Sequence, residues 1–155
     1  MHPTLIPLRV TTGAFILDAG IGKLSADEDT AKWLHDSAVK AYPFLADIEP
    51  KDFARMLAIG EIVVGGALLV PFVPATTAGA LLTGFGAGLV GLYLRTPGLT
   101  KEDGILPTQE GLSAAKDSWL LGAGLTLLSQ GAVSSAKSSA KKLGRRAREV
   151  NPFTE

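Results

Sequence analysis

From Ile62 to Leu94 the chain reads IVVGGALLVPFVPATTAGALLTGFGAGLVGLYL, thirty-three residues without a charge. As one helix this would be roughly 50 Å long at about 1.5 Å per residue, well beyond a hydrocarbon core of about 30 Å. Pro71 and Pro74 forbid a single helix. Each removes a backbone donor and pushes the residue before it out of helical geometry. The stretch therefore predicts two spans joined by a tight turn. A chain of 155 residues has too little other apolar material to wrap such a hairpin, so lipid must cover it. An integral membrane protein is the expected class.

Composition agrees and narrows the chemistry. Hydrophobic residues make up 46% of the chain, and its mean hydropathy of +0.27 is modest. That balance suits a four-span protein carrying one polar loop and one polar tail. The absence of cysteine excludes disulfides, thiolate metal sites and any dithiol relay. His2 and His35 lie far apart without a ligand motif and are expected to be solvated loop residues, so no metal is expected. The opening MHPTLIPLRV lacks the basic region of a cleavable signal, so the first span is expected to be retained.

Taken in order, the spans are expected at about residues 5–24, 53–70, 75–94 and 112–133. The predicted fold is all-α, a polytopic membrane protein with four transmembrane helices in an up-down bundle. Residues 1–136 form the membrane domain and 137–155 a basic tail. Arg9 and Lys23 sit near the two ends of the first span, where long side chains can reach headgroups. Between the first two spans, residues 25–52 hold seven acids against three lysines. There Thr30 to Leu45 carries apolar residues at helical spacing and suits an amphipathic helix, either resting at the membrane interface or solvated. Small residues four apart in the third span, Ala80, Gly84 and Gly88, with Gly91 beside them, are expected to pack against another helix rather than to line a groove. The tail from Lys137 to Arg148 holds six Lys/Arg in twelve residues. A basic run after a span favours the cytoplasmic face, which puts both termini of a multi-pass cell-membrane protein inside. No aromatic platform accompanies that run, so nucleic acid is not an expected partner.

This topology brings Asp18, Lys23, Glu61, Arg95, Lys116 and Asp117 to one end of the bundle. An ionisable group in hydrocarbon costs about 2.5 to 3.5 kcal/mol on insertion scales, so these groups are expected to face one another. Adjacent helical residues point about 100° apart, so Lys116 and Asp117 are expected to seek partners on other spans.

Some of these residues resemble the DoxX family of small four-helix prokaryotic membrane proteins. Arg9, Gly13, Phe15, Gly20 and Lys23 are similar to its R-x3-G-x-F-x4-G-x2-K opening. Gly60-Glu61 followed by Gly65-Gly66 is similar to its second span, and Lys116-Asp117 before Leu120-Leu121-Gly122 to its fourth. The resemblance implies a membrane subunit or scaffold of a redox or oxidative-stress complex, docked to a soluble enzyme through the Lys137–Arg148 tail. No resident cofactor is expected, although the polar cluster could hold a quinone or a lipid headgroup. A homo-oligomer is an open partner state, and the catalytic residues of any activity remain unknown from sequence. The alternative is a proton-coupled transporter or flippase that uses Asp18 and Glu61 as a relay. A self-contained enzyme is the weakest reading, because no span carries a cysteine, a histidine or a cofactor motif.

The topology makes one direct prediction. A thiol introduced by Lys141→Cys should react with an impermeant reagent only from the cytoplasmic side. Labelling of intact cells from outside would reverse both termini.

Overall fold

A computed structural model describes residues 3–150, and side chains as far as residue 146. Its long helices form two pairs. Helix α1 (Ile6–Leu24) packs on α3 (Pro50–Leu69), and α4 (Ala75–Arg95) packs on α6 (Ser118–Val150). Helix α2 (Glu28–Ala41) lies across α3 and α4, and a single turn, α5 (Leu112–Ala115), precedes α6. Among the described residues all regular structure is helical apart from an isolated bridge between Thr100 and Pro107. Two of these helices, α1 with its leading turn (Pro3–Leu24) and α4, are long and apolar enough to cross a membrane.

Local sequence sets the helix ends. Asp27 caps α2 by accepting from the Thr30 amide at 2.8 Å, and Glu28 and Asp29 follow in the first turn, where the helix dipole favours acids. The Thr30 hydrogen bond holds the Asp27 carboxyl below its ordinary range. Pro50 opens α3, at a position where its missing amide costs nothing. Val70 leaves α3 in extended geometry ahead of Pro71, and Pro74 leads into α4. In the loop after α4, Asp103 accepts the amides of Ile105 and Leu106 at 2.9 Å, which lowers its pKa, and Tyr93 donates to the Ile105 carbonyl at 2.6 Å. Gly104 turns that loop with φ of 72°, in the region that glycine enters freely.

Pairing within each hairpin follows a seven-residue rule. On α1 the residues Arg9, Gly13, Ile16 and Gly20 are buried at alternating steps of four and three, and Lys23 extends the row. On α3 the matching row is Ala54, Ala58, Glu61, Gly65 and Leu68. The second pair repeats the pattern with Gly79, Leu82, Gly86 and Tyr93 on α4 against Leu120, Gly124, Leu127 and Gly131 on α6. This is the a/d seam of left-handed helix packing, with glycine at many of the contact points. A methyl group on Gly65 would stand 2.7 Å from the Leu17 amide nitrogen, and one on Gly86 would stand 2.6 Å from that of Leu121. Neither backbone can give way.

The glycine row expected to pack is therefore one face away from the one that does. Ala80, Gly84 and Gly88 are exposed, and a side chain on Gly84 or Gly88 would meet open space. Gly91 is close-packed, but against the Tyr42 hydroxyl at the end of α2 rather than against another long helix.

Arg9 is a second correction. It does not reach outward but is 1% exposed. Its guanidinium donates to four carbonyls: Leu68 at 2.7 Å, Ala67 at 2.8 Å, Val70 at 3.0 Å and Val73 at 3.1 Å. The last carbonyls of a helix lack intrahelical donors, and Pro71 and Pro74 bring none to the turn that follows. Arg9 supplies them from another helix.

His35 is likewise buried rather than solvated. Its Nε2 donates to the Leu45 carbonyl at 3.0 Å, and its ring meets Phe53 edge-on. His2 lies outside the described residues.

Two substitutions one turn apart should move stability in opposite directions. Arg9→Leu strands the Ala67, Leu68 and Val73 carbonyls, leaving Val70 only the Val73 amide, and should lower unfolding stability in detergent micelles by about 3 kcal/mol or more. Thr12 is fully buried with its hydroxyl unpaired, so Thr12→Val keeps the shape and should stabilise by about 1 kcal/mol. Denaturant titration of both variants checks the contrast; a neutral Arg9→Leu would contradict the capping role.

Candidate functional site

Beneath α2 the two hairpins do not close on each other, and a cavity of about 540 Å³ remains. All the long helices contribute to its wall. Helix α1 gives Ile16, Ala19 and Lys23, α3 gives Leu57 and Glu61, and α4 gives Gly84, Phe85, Gly88 and Leu89. Leu120 of α6 and Asp117 just before it complete the lower wall, and Trp33, Leu34, Ser37 and Ala38 of α2 form the roof. The outward glycines of α4 thus line a groove, the role set aside above in favour of packing. Because Gly84 and Gly88 have no side chains, the volume beside them stays open.

An ion pair marks the cavity wall. Lys23 Nζ lies 2.9 and 3.0 Å from the two Glu61 oxygens and 3.3 Å from the Ala19 carbonyl. The side chains are 23% and 8% exposed. The seam explains the pairing. Lys23 continues the row of Gly13 and Gly20, and Glu61 sits three residues after Ala58, against which Gly20 packs. The pair therefore closes the α1–α3 seam at one end while Arg9 closes it at the other.

The remaining predicted cluster residues divide sharply. Asp117 lines the same cavity. Asp18 is exposed on α1 and lines no part of it. Five residues beyond Gly13, it falls on the side of the helix away from the seam. Arg95 is exposed, its guanidinium 5.3 Å from the centre of the Tyr42 ring. Lys116 is exposed in a turn, because the helix is interrupted at Lys116–Asp117. There the Asp117 and Trp119 amides bond three residues back, to Ala114 and Lys116. The argument from two adjacent positions on a continuous helix therefore does not apply. No acid or base from another span pairs with either residue among the described ones.

Tyr42 fastens the roof. Its hydroxyl donates to the Gly88 carbonyl at 2.8 Å, and its ring carries Arg95. Neither it nor Phe53 was singled out by sequence reasoning as a site residue. The available signal was the aromatic spacing in residues 30–53 opposite a glycine-rich span. At the opposite end of the molecule Phe72 is 89% exposed in the turn that Arg9 secures. Among the described residues no group of three or more His, Asp or Glu stands close enough to hold a metal.

What the fold defines is a helical protein with two helices able to cross a membrane and an apolar cavity with a partly buried ion pair in its wall. No family model, characterised protein or solved structure matches the chain.

The ion pair makes a separable prediction. Lys23→Met leaves Glu61 buried without its partner and should destabilise by about 3 kcal/mol or more. Lys23→Met combined with Glu61→Met should recover most of that loss, since a buried pair replaced by apolar side chains is often neutral. Glu61→Lys should be worse than Glu61→Gln, because it sets two lysines together. Thermal unfolding of the single and double variants decides it. Additive losses would mean the two residues are energetically independent.

Proposed function

We propose that this is a small four-span membrane protein, α1, α3, α4 and α6 crossing the bilayer, that holds an amphipathic small molecule in the cavity beneath α2. The observation that carries the reading is the cavity itself: a largely apolar wall with the Lys23–Glu61 pair and Asp117 set into it. A few polar groups in an apolar cleft is the usual composition of a ligand site.

Support for four spans comes from the outward surfaces. Met56, Ile59 and Val63 of α3 are exposed, as are Trp119, Leu125 and Val133 of α6. Ile6, Val10 and Ile21 are likewise exposed on α1. Apolar side chains exposed on α1, α3 and α6 suit lipid and not water. In this reading α2, with Trp33 67% exposed, rests at the headgroup level, where tryptophan is favoured. The exposed basic end of α6 then lies in the cytoplasm with both termini. It is placed to meet a soluble partner, as the DoxX-like motifs imply for a subunit or scaffold of a redox complex binding a quinone or a lipid headgroup. A relay through Asp18 and Glu61 is less favoured, because Asp18 stands outside the cavity that Glu61 lines.

Native mass spectrometry of the protein from mild detergent tests the reading. A bound lipid- or quinone-sized molecule, or a stoichiometric protein partner, is expected. The bound small molecule should be lost in Gly84→Phe, which fills the cavity from a position where a side chain meets no obstruction. An unchanged complement of ligands in that variant would sink the cavity as the binding site.

A further inference from the structure

The cavity has a charge balance of its own. Its ionisable lining groups are Lys23, Glu61 and Asp117, one base against two acids. Lys23 is already taken up by Glu61 and the Ala19 carbonyl. The Asp117 carboxylate has no hydrogen bond or ion pair among the described residues. Lys116, exposed in the turn, acts on Asp117 through space but makes no ion pair with it, and Arg95 lies over Tyr42. One acid on the apolar wall therefore has no cation in contact with it.

The rest of that wall is aromatic. Phe15, Trp33, Tyr42, Phe53 and Phe85 all line it, half of the chain's six Phe, two Trp and two Tyr. Aromatic faces present negative electrostatic potential to a cation. With Arg95 already on Tyr42 and Phe15 beside Trp119, the rings of Trp33 and Phe85 remain, together with the part of Phe53 that His35 leaves open. An anionic or neutral ligand would displace water from Asp117 and leave it unpaired, which is costly. A cation would neutralise it.

We propose that the cavity binds a lipophilic organic cation, its charge against Asp117 and its apolar body among Trp33, Phe53 and Phe85. This rests on the reading of the cavity as a ligand site and adds the sign of the ligand's charge. The cation is an ammonium-type group, carried either by a free amphiphile or by a lipid headgroup.

The test uses the full chain in mild detergent and two probes of nearly the same shape and opposite charge, tetraphenylphosphonium and tetraphenylborate. Binding is measured by isothermal titration against a micelle blank. The phosphonium should bind at least about tenfold more tightly than the borate. Asp117→Asn should abolish that preference and Asp117→Glu should keep it, which separates loss of charge from loss of fold. Equal binding of the two ions, tighter binding of the borate, or an unchanged preference in Asp117→Asn would overturn the proposal. Gly84→Phe separates this result from the broader reading. If both ions bind equally yet are both lost in Gly84→Phe, the cavity is a ligand site without cation preference. If Gly84→Phe changes neither, the cavity is not the site. Competition by phosphatidylethanolamine, but not by phosphatidylglycerol, would assign the cation to a lipid headgroup. With the phosphonium preference in place, absence of competition assigns it to a free amphiphile.

Discussion

The fold depends first on one guanidinium. Arg9 supplies donors to the last carbonyls of α3 and to the turn that follows, where Pro71 and Pro74 can bring none of their own. That single side chain fixes the end of α3, the geometry of the turn and the position of α1 against both. Hydrogen bonds to a charged donor are worth more than neutral ones, about 1.5 to 3 kcal/mol each. Four converging on one residue explain why a cation can be fully buried at a place where no acid accompanies it. At the far end of the same seam the Lys23–Glu61 pair does the equivalent work with opposite charges. Between them Gly13, Gly20 and Gly65 let the two backbones approach.

Much of this was legible in the sequence, and the rest was missed for definite reasons. The turn between α3 and α4 followed from Pro71 and Pro74, and the helix limits near Leu24, Leu69 and Arg95 followed from charge and composition. The choice of packing glycines failed because α4 carries so many of them that one row repeats every four residues and another every seven. Only the partner decides between the rows, and the partner's signal was present: Gly124 and Gly131 stand seven apart, as do Gly79 and Gly86. The DoxX-like residues Arg9, Gly13, Gly20 and Lys23 take on a physical meaning in the same frame, since they are successive contacts along the α1–α3 seam. A motif of that kind reports how two helices meet, which is a different matter from what the protein binds.

The polar cluster shows a second limit. Topology gives the depth of a residue along a span but not the direction in which it points. Depth assigns six charges to one end, but helix rotation divides them: Lys23 and Glu61 lie on the seam, while Asp18 falls on the outside of α1. Asp117 reached the cavity for another reason, the break in the helix at residues 116 and 117, which periodicity alone did not reveal. Tyr42 and Phe53 entered through α2 and its connection, whose position across the hairpins is a tertiary matter.

The clamp on the α3–α4 turn also constrains how the protein can be made. Arg9 leaves the ribosome ahead of its acceptors, which lie 58 to 64 positions later. At about 5 to 20 residues per second, roughly 3 to 13 s pass before those carbonyls exist. In the membrane reading proposed above, the first helix must spend that interval with its arginine still hydrated, shallow in the interface or held by the insertion machinery. It can settle to full depth only when the hairpin arrives to receive it. Helix α1, made before α3 and α4, would then reach its final place after them.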